Sequence, residues 1–387
     1  MFGQMKRNVV HFDLDTFFVS VARLGNSALK DKPVIIGGHS DRGVVASCSY
    51  EARRFGVHSA MPMKLARRLC PSAVYLQGDM DSYSHHSRVV TDIIRSEVPV
   101  VEKASIDEFY LDLTGMDRFF GCSSYTAELK KKILRESGLP ISYALASNKL
   151  VSKVATEDAK PNGQMEIPFG HEKGYLAPLA IERMPGVGLK TSALLKRMGV
   201  ETIKLLSEIP EPMMRNLLGK SGIALSRKAN GRDDSPVVPY TEQKSIGKEE
   251  TFDNDTINMA FLGGELVRLT ERVAFLLRKQ QRLCGCITVK LRYANFDTVS
   301  RQAIVPYTAN DNVLLAKAKE LFAKLYDRRM LVRLIGVKVS HLVGGYQQIS
   351  LFGDTEENVR LYQAMDTIRK KHGSHAVMRA VGKLERR

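Results

Sequence analysis

An α+β chain of several domains is what the sequence predicts, on three observations. The first 170 residues interleave strand-like apolar runs with helical patterns. Residues 170 to 232 shift to short helical segments punctuated by Pro and Gly. Beyond Lys244 the order reads strand, long helix, strand, strand, helix, strand. At 387 residues the chain exceeds what one hydrophobic core usually serves, and with 44% hydrophobic residues it can bury more than one.

In the first stretch, strands are expected at Asn8 to Leu14, Pro33 to Gly37, Gly43 to Ala46, Phe109 to Leu113 and Ile141 to Ala146. Helices are expected at Ser59 to Leu69, Ser82 to Ser96 and Ser123 to Ser137, the last with a Ser start and a stop at Gly138. A segment of about Val21 to Gly78 interrupts this body as an insertion. MPGVGLKTSALLKRMGV, Met184 to Val200, has the look of a helix-hairpin-helix, whose Gly186 to Gly188 turn exposes backbone N–H groups that can hold a phosphate without reading sequence. A plain αα-hairpin turn fits the same residues; a nucleotide P-loop does not, because the GxxxxGK[ST] spacing is missing. Gly231 to Gln243 carries two prolines and a polar start and reads as a linker.

In CITVKLRY, Ile287, Val289 and Leu291 alternate with Thr288, Lys290 and Arg292, giving one apolar and one basic face. From Lys244 to Gly345 there are 17 Lys plus Arg against 10 Asp plus Glu. The tail holds YQQISLFGD, Tyr346 to Asp354, an apolar plug in a polar segment. Asp354 and Glu357 then suggest a capping box for a helix ending near Gly373.

Two acidic stretches lie inside strand-forming runs, FDLDTFF at Phe12 to Phe18 and ASIDEFYLDL at Ala104 to Leu113. Around Asp13, alternation places Val10, Phe12 and Leu14 on one face and Val9, His11, Asp13 and Asp15 on the other. Buried carboxylates lose hydration and repel one another unless positive charge compensates. A pair of divalent metals supplies that charge and is a standard device for in-line displacement at phosphorus. The plainer alternative puts Asp13 and Asp15 on a half-exposed strand and Asp107 and Glu108 in a turn.

Net charge is +16 and the isoelectric point is near 9.6, an excess that favours a polyanionic partner, nucleic acid before membrane. No apolar run approaches the roughly 20 residues of a membrane span. Lys6 and Arg7 do not open a signal peptide, since Asp13 interrupts any apolar segment, and a cytoplasmic protein is expected. The five cysteines, Cys48, Cys70, Cys122, Cys284 and Cys286, lack the spacing of a zinc site.

FDLDTFF, then GVVASCSYEARRFGV at Gly43 to Val57, then SIDEFYLDL, then DAKPNG at Asp158 to Gly163 resembles the ordered motif series of the Y-family DNA polymerases, closest to the bacterial DNA polymerase IV class. The resemblance implies a right-hand polymerase: palm at 1–20 and 79–168, small fingers at 21–78, helical thumb with the helix-hairpin-helix at 169–232, linker at 233–243, β-α-β-β-α-β little finger at 244–345, and a C-terminal tail at 346–387. It implies Asp13, Asp107 and Glu108 as catalytic metal ligands for two Mg²⁺ ions, with the Leu14 carbonyl added; Asp15 is left between ligand and structural roles. Mg²⁺ suits hard carboxylate and phosphate oxygens.

By the same resemblance, Phe17, Phe18, Ser47, Tyr50, Arg53 and Lys160 form the nucleotide site. Phe18 is the steric gate under the sugar, while the Phe17 ring is expected to face the core. Arg53 offers bidentate contacts, Lys160 a point charge and Tyr50 a neutral donor; as an alternative, Arg53 forms a surface ion pair with Glu51 or its neighbours. DNA contacts are expected from Gly186, Gly188, Lys190, Lys244, Lys290 and Arg292. Gln348, Ile349, Ser350, Leu351 and Phe352 resemble the pentapeptide that docks into the bacterial sliding clamp, and a Leu-Phe pair packing on its own domain is the alternative. Partners implied are primer-template DNA, deoxynucleoside triphosphates and the clamp, for a monomer without a membrane. Translesion synthesis of low fidelity is implied, since nothing resembles a proofreading exonuclease. Two other readings stay open: a two-metal nuclease or other nucleotidyltransferase, which needs no sugar gate, and a DNA-binding adaptor, which leaves the carboxylates without a purpose.

Overall fold

The computed structural model describes residues 6–38, 40–116, 121–345, 355–373 and 376–382. Two compact units divide the chain, Met1–Thr241 and Glu242–Arg387.

In the first unit, a five-stranded sheet has the order β5-β6-β1-β7-β8. Its strands are β1 (Val9–Leu14), β5 (Val101–Lys103), β6 (Glu108–Asp112), β7 (Ile141–Ala146) and β8 (Gln164–Glu166). β1 is central and antiparallel to both β6 and β7. All six of its residues are buried, so the half-exposed alternative for Asp13 is excluded. Val10, Phe12 and Leu14 pack against Val90 and Ile94 of helix α4 (Met80–Glu97) and Leu129 and Ile133 of α5 (Cys122–Ser137). α5 closes at Gly138 in the left-handed region, φ 69°, where its N–H bonds Leu134 O. The opposite face is covered by α6 (Lys149–Ala159), capped by Asn148, whose side chain accepts from Val151 N.

α1 (Phe17–Gly25) leaves β1 through a turn at Thr16, φ 43°. A separate sheet β3-β2-β4 follows, from β2 (Val34–Gly37), β3 (Val45–Cys48) and β4 (Val74–Leu76), with short helices α2 (Tyr50–Arg53) and α3 (Met63–Leu69). α7 (Glu172–Leu176), α8 (Leu189–Arg197), α9 (Ile203–Glu208) and α10 (Glu211–Ala229) share a core with α6 and β7, including Leu195, Leu206 and Leu225. The stretch read as a linker is tied down for much of its length. Arg7 bonds Ser235 O, Asp233 accepts from Leu150 N, Val238 N reaches Glu102, and Val237 is buried with Val9 and Tyr110.

The second unit runs β9 (Ser245–Thr256), α11 (Met259–Lys279), β10 (Arg282–Tyr293), β11 (Thr298–Thr308), α12 (Asp311–Leu325), β12 (Val332–Gly344), the expected β-α-β-β-α-β. Its sheet order is β11-β10-β12-β9. Ile287, Val289 and Leu291 are fully buried in the core, and Lys290 and Arg292 alternate with them on the other face. The tail helix α13 (Thr355–His372), whose partner the sequence did not reveal, docks within this unit. Arg278 of α11 grips Asp366 at 2.7 and 3.0 Å and Asp311 at 2.5 Å, and Tyr362 bonds Asn310 at 3.2 Å. Asp354 of the supposed capping box lies outside the described residues.

Candidate active site

Strand pairing brings the two acidic motifs together. Asp13 is the register partner of Glu108, and Leu14 N donates to Asp107 O at 3.1 Å. Asp107 precedes β6 in a turn held by Ser105, whose Oγ donates to Asp107 Oδ1 at 2.5 Å and accepts from Glu108 N at 3.0 Å. The turn is moored to α4: Ser87 Oγ bonds Ile106 O at 2.5 Å, and Lys103 Nζ bonds Ser87 Oγ at 2.6 Å and Thr91 Oγ1 at 2.9 Å.

Each end of the Asp13–Glu108 pair faces a lysine of one segment. Lys160 Nζ lies 2.8 Å from Asp13 Oδ2 and 2.8 Å from Glu157 Oε2, and Lys153 Nζ touches Glu108 Oε1. Burial pushes the Asp13 carboxyl up to about 7; Lys160 opposes the rise, and Glu108 and Asp107 add to it. Burial pulls the Lys160 ammonium down, but Asp13 and Glu157 outweigh it and hold it above its ordinary range. The cluster therefore remains short of positive charge, as a site for a divalent cation must be. Its donors are hard carboxylate oxygens. In this conformation no three carboxylate, imidazole or thiol groups among the described residues converge closely enough to hold an ion. Asp13 and Glu108 are turned to their lysines instead.

The alternation expected through Asp15 stops at Leu14. Asp15 is 2% exposed and sits in the following turn, where it accepts from Tyr50 OH at 3.2 Å, from Ser142 Oγ at 3.0 Å from both carboxylate oxygens, and from Asn162 N at 2.7 Å. It thus joins α2, β7 and the loop after Lys160. The Tyr50 phenol is raised by burial and then by Asp15, so it stays a neutral donor.

Phe18 is half-buried and stacked on Tyr83 of α4, ring centroids 4.1 Å apart at 12°. The Phe17 ring faces the core, as expected. It is 2% exposed, packed with Val21 and Tyr83. Ser47 is buried on β3, and Arg53 is exposed with its guanidinium 5.1 Å from the Tyr50 ring centre. The alternative of an Arg53–Glu51 pair does not form; Glu51 binds Arg23 at 2.9 Å.

Among the DNA-contact candidates, Gly186 adopts φ +103°, a conformation favouring glycine, and Gly188 begins α8 without a side-chain cap. Lys190 and Lys244 are exposed. Lys290 is ion-paired with Glu249 at 2.9 and 3.0 Å, whereas Arg292 bonds only the neutral Thr298 Oγ1, at 2.9 Å, and keeps its charge on the sheet face. Gln348, Ile349, Ser350, Leu351 and Phe352 lie outside the described residues.

Sequence reasoning passed over α6 and with it Lys153, although Lys149 and Lys153 stand four residues apart, an interval that shares a helix face. It also passed over His11 as a site neighbour. His11 is 1% exposed, and its Nδ1 is 3.0 Å from Thr156 Oγ1. Its Nε2 is 3.9 Å from Glu108 Oε1 and has no hydrogen-bond partner among the described residues. Burial, then Lys153 and Lys160, holds the imidazole well below its ordinary range and neutral.

Two family models match, the impB/mucB/samB family over residues 12–157 and its C-terminal domain over 243–351. The chain is 39% identical over 375 residues to DNA polymerase IV of Dehalococcoides mccartyi strain CBDB1, covering 96% of each. The chain belongs to the Y-family of DNA polymerases, in its DNA polymerase IV class. Among solved structures it is similar to a Y-family DNA polymerase chimera of Dbh and Dpo4, with TM-score 0.78 and 26% identity over 87% of this chain and all of that one. An insertion ternary complex of Dbh DNA polymerase matches with TM-score 0.63 and the same identity and coverage. Family membership accounts for the mixed α/β architecture and for the β-α-β-β-α-β unit. Among the described residues no helix is long and apolar enough to cross a membrane.

Proposed function

We propose that this protein is a template-directed DNA polymerase of the translesion type, joining a deoxynucleotide to a primer 3′-hydroxyl with release of pyrophosphate, at low fidelity and across damaged templates. The observation that carries the reading is the pairing of Asp13 with Glu108 beside Asp107, at the strand end where Lys160 meets Asp13 and Tyr50 donates to Asp15.

Asp13, Asp107 and Glu108, with the Leu14 carbonyl, would hold two Mg²⁺ ions. Divalent metal bound there supplies activation of the attacking oxygen and charge neutralisation at the leaving group. Lys160 and Arg53 bind the triphosphate by charge, and Tyr50 turns its single hydroxyl hydrogen from Asp15 to a phosphate oxygen. Phe18, braced from below by Tyr83, presents a flat apolar surface to the sugar, where a 2′-hydroxyl would collide. Asp15 acts as scaffold, because its acceptor capacity is taken up by Tyr50, Ser142 and Asn162. A backbone grip at Gly186 to Lys190 and the basic second unit hold primer-template through phosphates. Gln348 to Phe352 serves as the clamp-docking peptide.

A two-metal nuclease uses the same carboxylates but has no need of a sugar gate or a triphosphate clamp. Primer extension with Mg²⁺ and one deoxynucleoside triphosphate at a time, on an undamaged template, tests the reading. Template-directed addition of single nucleotides is expected. Shortening of the primer, or binding without extension, would replace it with the nuclease or adaptor reading.

A further inference from the structure

The carboxylate cluster is already neutralised in part by the protein itself, and both neutralising groups come from one stretch of chain. Lys153 lies on α6, and Lys160 immediately follows its last residue. Lys160 and Asp13 are each largely buried, with side chains 14% and 11% exposed, so water screens their 2.8 Å contact poorly. Lys153 likewise engages Glu108. An ammonium and a divalent cation at one carboxylate repel each other, so each lysine competes with a cation for the carboxylate it holds.

From this geometry we infer that Lys153 and Lys160 are resident counter-ions of the carboxylate cluster, and that the Asp13–Lys160 pair makes divalent-cation and nucleotide binding depend on one another. The inference rests on the proposed function in one respect, that Lys160 also binds the triphosphate. Lys160 then has two anionic partners and one charge. When a triphosphate takes the ammonium, Asp13 loses its counter-ion and is free to turn toward a metal. When no triphosphate is present, Lys160 stays on Asp13 and competes with the ion. By linkage the effect is reciprocal: a cation on Asp13 releases Lys160 for the nucleotide. Glu157, 2.8 Å from the same ammonium and half exposed, gives Lys160 a hold that does not depend on Asp13. Lys153 acts on Glu108 in the same way but has no second anionic partner among the described residues, so it sets the charge of the cluster without coupling it to nucleotide.

The consequence runs against ordinary expectation for a ligand-binding lysine. Removing Lys160 should weaken nucleotide binding and strengthen nucleotide-free metal binding. The test is Mn²⁺ binding by electron paramagnetic resonance to the full-length protein on a dideoxy-terminated primer-template, with and without a non-hydrolysable deoxynucleoside triphosphate analogue. Loss of Lys160 also lets the Asp13 carboxyl rise further, so binding is read across pH. Above that rise Lys160→Met should bind Mn²⁺ on the order of tenfold more tightly than the unaltered protein without nucleotide, and the analogue should raise its affinity by a smaller factor than it does in the unaltered protein. Lys130→Met is the control for field effects, since Lys130 bonds the carbonyls of Asn162 and Gly163 and not a carboxylate; it should shift Mn²⁺ affinity by less than about twofold. Lys160→Gln substitutes if the Met variant does not fold by circular dichroism. Unchanged or weaker Mn²⁺ binding in the Lys160 variants, an equal gain in Lys130→Met, or no measurable Mn²⁺ binding in any protein overturns the inference. Primer extension by the unaltered protein separates the two failures: extension with unchanged Mn²⁺ affinity rejects only the counter-ion role, whereas no extension rejects the polymerase reading.

Discussion

Replacing Asp15 separates a scaffold from a metal ligand. The side chain is 2% exposed and accepts from Asn162 N at 2.7 Å, Tyr50 OH at 3.2 Å and Ser142 Oγ at 3.0 Å. Asp15→Ala strands those donors. At roughly 1–3 kcal/mol for each buried group left unsatisfied, and allowing the two hydroxyls to turn elsewhere, the loss is about 4 kcal/mol. For a unit of this size that is about 2–4 °C per kcal/mol, so the first unit should melt roughly 8–16 °C lower. Asp15→Asn keeps the shape. Its amide oxygen can face the Asn162 N–H, which cannot turn, while the amide nitrogen donates to the hydroxyls, which can. The expected cost is about 1–2 kcal/mol. Scanning calorimetry reads the stability, and a Mg²⁺ titration of single-turnover incorporation reads metal use. For Asp15→Asn, Mg²⁺ half-saturation should stay within about twofold and nucleotide affinity should change little, because the amide keeps the Asn162 and Tyr50 contacts; Asp15→Ala, which removes this common anchor, should weaken nucleotide binding. An Asn variant with near-normal melting that needs ten times more Mg²⁺ would refute the scaffold role and make Asp15 a ligand.

Phe18→Ala should raise ribonucleotide incorporation far more than it changes deoxynucleotide incorporation in competitive primer extension; unchanged sugar discrimination moves the gate off the ring stacked on Tyr83. Affinity for primer-template, followed by fluorescence anisotropy, should drop roughly tenfold or more between 50 and 200 mM salt if several phosphates are held, and flat affinity would mean that the +16 charge does not serve DNA binding. Joint replacement of Leu351 and Phe352 by Ala should abolish clamp-stimulated synthesis and spare extension without clamp; a parallel fall in both, with lowered thermal stability, would show the pair packing on its own domain.

Local signals made much of the fold legible. Ile141 to Ala146 appears as read, because a run that is apolar but for Ser142 and buried on both faces has little choice. Ser123 to Ser137 differs from α5 by one residue at its start, since Gly138 dictates the stop. Alternation at Ile287 to Arg292 placed the basic face of β10 correctly. What stayed hidden is contact across the chain. Nothing near Asp15 announces Ser142 or Asn162, more than a hundred residues away. Two prolines and a polar start suggested a loose linker, but the deciding residues, Val237 and Asp233, act through Val9 and the start of α6. The docking of α13 depends on Arg278, whose partners come from two other helices. At the site, the motif residues identified the acidic pair, whereas Lys153 became visible only once strand pairing put Glu108 beneath α6.

The most direct test of the central claim is single-nucleotide incorporation by Asp107→Ala and Glu108→Ala, measured together with primer-template affinity on the same preparations. If these carboxylates hold the catalytic metals, both variants lose incorporation and keep DNA binding, because the phosphate grip lies on other residues. Near-normal incorporation by Asp107→Ala would contradict the assignment.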